Sequence, residues 1–320
     1  MKPLELVQQV TTATKVVVNS PGKINLTLEV LFKRPDNFHE IRSVLLPVSL
    51  YDTVEVSPRN DGVITCYTVG EGVDVSCFDT MSCGRNLATR AAKLMQQLCD
   101  VSEGCDIKIT KRIPIGAGMA GGSADAVGTM HALREMWAPD LTLFDMIEAA
   151  SLIGSDIPAL LHGDAVLMEG KRERIAGIEM PYNPASEPIW LVIVFPGFSV
   201  CTKEIYENCR PGLTCADDLC KNAISSVRNG DVRAACSWVF NGLQDTVFKL
   251  YPEAERFCLA LRKGGAMSSL LSGNGSAVFG LAENMEHALA IQRSLPENVW
   301  SRVVSTLPDG VTAAHGPLTP

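Results

Sequence analysis

The sequence predicts an α/β (α+β) protein of two domains, 1–180 and 181–320, and three observations carry that reading. Its 320 residues suffice for two ordinary cores, and a content of 46% hydrophobic and 20% charged residues is that of a globular chain. Period-two strand patterns alternate with helical patterns through the first half. The weakly patterned "EMPYNPASEP" at 179–188 then separates them from a fresh apolar strand, "WLVIVFPG" at 190–197, which starts a second sheet.

The chain opens with strand-like "KVVVNS" (15–20) and "INLTLEVL" (24–31), where Ile24, Leu26, Leu28 and Val30 alternate with Asn25, Thr27 and Glu29. One face is therefore expected in the core and the other free to meet a ligand. "YDTVEV" (51–56) is a further strand, and "NLATRAAKLMQQL" (86–98) places Leu87, Ala91, Leu94 and Leu98 at helical spacing. "CDIKITKRI" returns to period two, with Ile107, Ile109 and Ile113 opposite Lys108, Thr110 and Arg112. A glycine-rich loop follows, and "SADAVGTMHALREMW" then sets Val127, Met130, Leu133 and Trp137 on one helical stripe, with Ser123 as the expected N-cap and Asp125 in the first turn. "TLFDMIEAASLIG" is a second helix closed by Gly154, and "HGDAVLMEGKRERI" a strand and hairpin. Near the end, "SSLLSGNGSAVFGL" (268–281) is strand, turn, strand.

Composition excludes several classes. A net charge of −8 argues against a broad nucleic-acid footprint, and no apolar run approaches the roughly 20 residues needed to cross a bilayer. The first fourteen residues lack the apolar core of a secretory signal, so a cytoplasmic protein, monomeric or homodimeric, is expected. Eleven cysteines without any C-x-x-C pair read as reduced core thiols, and five scattered histidines predict no structural metal.

The loop "IPIGAGMAGGSADAV" (113–127) contains Gly116, Gly118 and Gly121 at the G-x-G-x-x-G spacing of dinucleotide-binding folds. Its context argues otherwise. The strand before it is half charged, Pro114 interrupts the approach, Asp140 at the right distance falls in a helix start, and no Gly-Lys-Ser/Thr ending is present. What remains is a set of small residues whose backbone N–H groups turn inward beside a helix N-terminus, a cradle for a phosphate chain. A tight turn that needs glycine only for positive φ is the alternative.

Three motifs in order over nearly the whole chain extend this reading. "SPGKINLTLEV" (20–30), "PIGAGMAGGSADA" (114–126) and "LSGNGSAVFGL" (271–281) resemble the N-terminal, phosphate-binding and C-terminal glycine motifs of the GHMP small-molecule kinases. Within that family, "SPGKINLTLEVLFKRPDNFHEIRSV" and "IGSDIPALLHG" are similar to the branch that phosphorylates the 2-hydroxyl of a cytidylylated methylerythritol on the non-mevalonate route to isoprenoid precursors. The departures are Gly22, Asn37, Phe38, Met119, Ala120 and Ala124; Ala120 stands where a glycine gives backbone freedom, and Ala124 lacks a hydroxyl often used near phosphate and metal.

The resemblance implies a two-domain kinase fold using ATP and Mg²⁺, with the nucleotide in the N-terminal domain. It implies that Pro114, Gly116, Ala117, Gly118, Met119, Ala120, Gly121, Gly122 and Ser123 cradle the phosphates, with Asn86 and Lys111 as further nucleotide contacts. Asp156 is implied as the base for the acceptor hydroxyl, and Lys23 as its cationic partner. Asn25, Phe38, His39, Thr202 and Tyr206 would meet the acceptor, the aromatics at its cytosine, while Gly273, Asn274, Gly275 and Ser276 approach its reacting end. On residue type alone, Phe38 and Tyr206 read equally as core aromatics. The same fold could also serve another small alcohol, homoserine or a mevalonate derivative, or act as a non-catalytic ligand sensor.

Overall fold

Two sheets carry the chain, one for each stretch of strand patterning, in a computed structural model that describes residues 15–78, 85–178, 188–212 and 219–307. In chain order the elements are β1 (Val16–Lys33), β2 (His39–Arg59), β3 (Ile64–Gly70), α1 (Leu87–Leu98), β4 (Gly104–Lys111), α2 (Gly121–Trp137), α3 (Leu143–Ala150), α4 (Ile157–His162), β5 (Val166–Gly170), β6 (Arg174–Gly177) and β7 (Trp190–Phe195). They continue with α5 (Thr202–Asn208), α6 (Leu219–Arg228), α7 (Val232–Trp238), β8 (Phe240–Asn241), α8 (Gln244–Leu250), α9 (Pro252–Lys263), β9 (Ser268–Leu271), β10 (Val278–Ala282), α10 (Met285–Arg293) and β11 (Trp300–Ser305). No described helix is long and apolar enough to cross a membrane.

The first sheet runs β3-β4-β2-β1-β8, with β5 and β6 continuing from β2; the second runs β11-β7-β10-β9, antiparallel throughout. β8 comes from the second half yet pairs in parallel with β1, Thr27 opposite Phe240, and the core is continuous from Ile24 and Met130 to Leu191 and Phe279. The expected seam lies mostly at residues 179–187, outside the described residues, as do the first fourteen residues.

The elements expected from periodicity are present, but several faces differ. β1 is buried on both faces from Val18 to Val30, because α2 packs on one side and α6 on the other. Asn25, Thr27 and Glu29 therefore lie inside, where each is polar-paired: Glu29 accepts from Arg42 Nε at 2.8 Å, and Thr27 Oγ1 lies 3.3 Å from Cys220 Sγ. On α1 the buried face is Ala88, Thr89, Ala91, Ala92 and Met95, small side chains against α2, while Leu98 is exposed. α2 is buried from Ala124 through Met130, since the sheet, α1 and α4 enclose it, and Asp125 is an interior residue. α3 ends at Ala150, so Gly154 does not close it, and α4 follows as a separate helix. None of the nine described cysteines is in a disulfide, but only Cys105, Cys220 and Cys258 of them are buried, and Cys77 and Cys201 are exposed.

Ser123 is likewise not the N-cap of α2. That position is Ala120, held in the left-handed region at φ 56° with no side-chain cap, because the loop turns there directly into the helix. A Cβ in this region costs on the order of 1 kcal/mol. Ala120→Gly is expected to stabilise the fold by about that amount, against the usual cost of adding a glycine. Thermal unfolding checks it, and a lower midpoint for the variant would contradict the assigned backbone.

Candidate active site

The phosphate loop is built at the junction of both halves. Gly116 and Gly118 take φ values of 71° and 75°, which side chains rarely adopt. Gly118 has a second reason to be glycine: a Cβ there would lie 2.2 Å from Ser272 O, so the two glycine loops touch backbone to backbone. Met119 O accepts from Lys23 N at 3.1 Å and Ala117 O from Ala277 N at 3.2 Å, sewing the loop to β1 and to the 272–277 turn. The turn is anchored from below by Asn241, whose Nδ2 donates to Leu271 O and Gly273 O at 2.9 and 2.7 Å.

Beneath the loop lies a closed charge cluster. Lys111, 1% exposed, donates to Asp52 and, at 2.8 Å, to Asp125 Oδ2; Asp52 Oδ1 also accepts from the backbone of Arg112 and Ile113. Burial opposes the Lys111 charge, but Asp125 and Asp52 outweigh it and hold the ammonium above its ordinary pKa. Burial pushes the Asp125 carboxyl up to about 7, with Lys111 opposing and Asp52 adding to the rise. Lys111 borders the cleft, yet its ammonium is committed to two carboxylates. Asn86 is also engaged structurally, since its Oδ1 caps α1 by accepting from Ala88 N at 2.8 Å.

Above the loop opens a cleft of about 450 Å³, lined by Lys23, Phe78, Leu87, Lys111, the run from Pro114 through Ser123, Asp156, Val200, Thr202 and Asn274. All the expected cradle residues are brought together here, with both expected catalytic residues. Lys23 Nζ donates to Gly118 O at 2.6 Å and Asn25 Oδ1 at 2.7 Å. Burial pulls this ammonium down to about 8; Asp156 raises it and Arg172 lowers it. Asn25 is a support rather than part of the cleft wall, since it holds Lys23 and donates to Ser43 Oγ at 2.7 Å.

Asp156 occupies the N-cap position of α4 but makes no capping bond, which leaves its carboxylate to the cleft. Its direct partner is Arg172, not Lys23: Arg172 Nη1 donates to Asp156 Oδ1 at 2.7 Å. Burial favours the neutral acid, but Arg172 and Lys23 together outweigh it and hold Asp156 below the usual carboxylate range. No local pattern marks Arg172; it sits in the β5–β6 turn, sixteen positions after Asp156, and only the fold joins them.

A second cavity, of about 640 Å³, adjoins the first and shares Thr202 with it. Phe38, His39, Tyr206, Ile41, Ser155 and Arg172 are among its walls. Phe38 is 57% exposed, so it is not a core aromatic, and Lys171 Nζ lies 5.0 Å over its ring. His39 and Tyr206 rings are 5.2 Å apart. Burial and nearby Lys33 lower the His39 pKa, which keeps the imidazole neutral at pH 7. Of the second glycine motif, Asn274 reaches the cleft and donates to Thr202 Oγ1 at 2.6 Å; Ser276 is fully buried and donates to Phe198 O, so it faces away.

Comparisons with known proteins show the family and the fold. The family models "GHMP kinases N terminal domain" and "GHMP kinases C terminal" match residues 86–164 and 215–300. The chain is 34% identical over 279 residues to a 4-diphosphocytidyl-2-C-methyl-D-erythritol kinase of Geobacillus sp. (strain WCH70), covering 87% of this chain and 91% of that one. It is 35% identical over 267 residues to the protein of the same name in Pelotomaculum thermopropionicum, covering 83% and 89%. A crystal structure of 4-(cytidine 5'-diphospho)-2C-methyl-D-erythritol kinase superposes with a TM-score of 0.71 at 30% identity, covering 91% and 99%. Homoserine kinase from Cytophaga hutchinsonii, at TM-score 0.70 and 16% identity over 94% and 96%, shares the fold.

The Lys23 position gives a pH signature. A group with a pKa of about 8 is an ammonium at neutral pH and loses its charge as pH rises past that value. kcat/KM, which reports the free enzyme, is expected to fall on the alkaline side with a limb near pH 8. Lys23→Arg, whose guanidinium stays protonated, should move that limb upward at whatever rate it retains. A profile flat to pH 9.5 in the unmodified enzyme would remove the Lys23 charge from the reaction.

Proposed function

The chain belongs to the GHMP kinase family and is an ATP-dependent small-molecule kinase; from that premise we propose that it transfers the γ-phosphoryl group of ATP to the 2-hydroxyl of 4-diphosphocytidyl-2-C-methyl-D-erythritol. The observation that carries the reading is the pair of joined cavities, a glycine cradle with Asp156 on one side and His39, Tyr206 and exposed Phe38 on the other, with Thr202 in both walls and Asp156 bonded to Arg172 of the second. The names of the relatives support the same acceptor.

ATP phosphates lie against the Gly116–Ser123 loop, where backbone N–H groups and the positive end of α2 meet their charge. Lys23 adds a full positive charge beside the transferring group. Asp156 is ionised, and while Arg172 holds Oδ1, Oδ2 has no hydrogen-bond partner among the described residues. Oδ2 accepts the proton of the 2-hydroxyl as its oxygen attacks the γ-phosphorus and ADP leaves. Mg²⁺ is part of the proposal: Ser123 lines the cleft with a hard hydroxyl oxygen that suits the ion, which would be held there mainly by ATP phosphates and water and would neutralise phosphate charge. The reading places the enzyme in the cytoplasm, as its free thiols suit, as a monomer or homodimer acting without nucleic acid or membrane.

Selectivity rests on the cytidine half. Stacking of a pyrimidine on an aromatic contributes on the order of 1 to 3 kcal/mol, and a neutral His39 left unpaired in an empty pocket adds to the discrimination. The full acceptor should exceed 2-C-methylerythritol 4-phosphate, which lacks the CMP portion, by about two orders of magnitude in kcat/KM. Equal values for the two would return the chain to the wider family with its acceptor open.

A further inference from the structure

Resting on the acceptor proposed above, we infer that Arg172 is the clamp for the acceptor's diphosphate, a specificity-determining residue that grips the anionic linker between the pyrimidine pocket and the reacting hydroxyl. Three observations lead there. The first is position. Arg172 borders the acceptor cavity together with Tyr206, and its guanidinium donates to Asp156 in the phosphate cleft. A nucleoside seated at Tyr206 and an alcohol seated at Asp156 are joined by the diphosphate, so that linker has to pass Arg172, which bonds Asp156 and shares a cavity wall with Tyr206.

The second is backbone. Arg172 takes φ 84°, a left-handed conformation unusual for a residue with a Cβ. The turn around it is tied down: Lys171 N is held by the Glu173 carboxylate, Arg34 lies 3.5 Å from Glu173, and Arg34 and Arg174 both pair with Glu40. This scaffold presents the Arg172 side chain toward the cavity at a position where glycine would be the easy choice.

The third is chemistry. In a chain of net charge −8, the cavity wall gathers Lys33, Lys171, Arg172 and Lys203 against Glu207. Lys171 lies over Phe38 and near Asp36 and Lys203 near Glu207, and of the four cations Arg172 is the one that also bonds Asp156, which places it between the two ligand halves. A guanidinium carries five N–H donors in a planar fork suited to two oxygens of a phosphate. Asp156 Oδ1 accepts from one of them, at Nη1.

The test is calorimetric titration of cytidine and of CDP into the full-length protein, with the nucleotide cleft filled by a non-hydrolysable ATP analogue. Unmodified protein should bind CDP at least tenfold more tightly than cytidine. Arg172→Gly, which relieves the backbone and so should fold, should lose the CDP advantage, read as the ratio of CDP to cytidine affinity, and Arg172→Lys should restore part of it. Cytidine binding with no CDP preference in the unmodified protein, or an undiminished preference in Arg172→Gly, overturns the clamp while leaving the cytidylylated acceptor standing. Binding of neither ligand overturns the acceptor and the clamp together.

Discussion

Everything in the active site depends on one close approach, the backbone contact between Gly118 and the turn at Ser272 to Gly275. There the phosphate loop of the first half meets the glycine turn of the second with no room for a Cβ, and the Gly118 carbonyl receives the Lys23 ammonium at 2.6 Å and the Ser272 hydroxyl at 3.3 Å. Three elements far apart in sequence are thereby fixed within a few ångström of one another. The glycines of the loop are thus needed for assembly as much as for admitting phosphate.

The interior around this contact is polar to a degree that only pairing makes tolerable. Lys111 between Asp52 and Asp125, Glu29 with Arg42, and Lys23 with Asn25 are each buried on at least one side and each joined by short hydrogen bonds. Lys111 ties β4 to β2 and α2 directly below the cradle, so the loop rests on a charge cluster as well as on the apolar packing of Ile113, Ala117 and Met119. That arrangement sets the helix and its N–H groups before any phosphate arrives, which is what electrostatic preorganisation requires.

Most of the machinery is legible in the sequence because it is carried by contiguous segments. The run 114–123, Lys23 after a proline and glycine, and Asp156 before a proline are each marked by neighbours, and the structure gathers them in one cleft. Arg172, Asn241 and Asp52 are not legible, since each acts on a residue that only the tertiary fold brings near it. Faces are misread where the period test fails on its own assumption: β1 over 18–30 and α2 over 124–130 have no solvent side, so periodicity could not say which residues face a ligand. Lys111 and Asn86 illustrate a further limit: the family resemblance implies both as nucleotide contacts, while the fold engages Lys111 with two carboxylates and Asn86 in a helix cap.

On the proposed mechanism this machinery converges on one outcome, the transfer of phosphate from ATP onto one particular hydroxyl, the one Asp156 is proposed to deprotonate beside the cradle. The acceptor's C2 bears a methyl group and no hydrogen, whereas its other free hydroxyls sit on carbons that do. A proton-coupled ³¹P spectrum of the product therefore distinguishes the 2-hydroxyl from the rest. A new phosphomonoester resonance is expected, without the splitting that a hydrogen on the ester carbon would cause; a doublet or triplet, or no new phosphomonoester with ATP and the cytidylylated acceptor present, would contradict transfer to that hydroxyl.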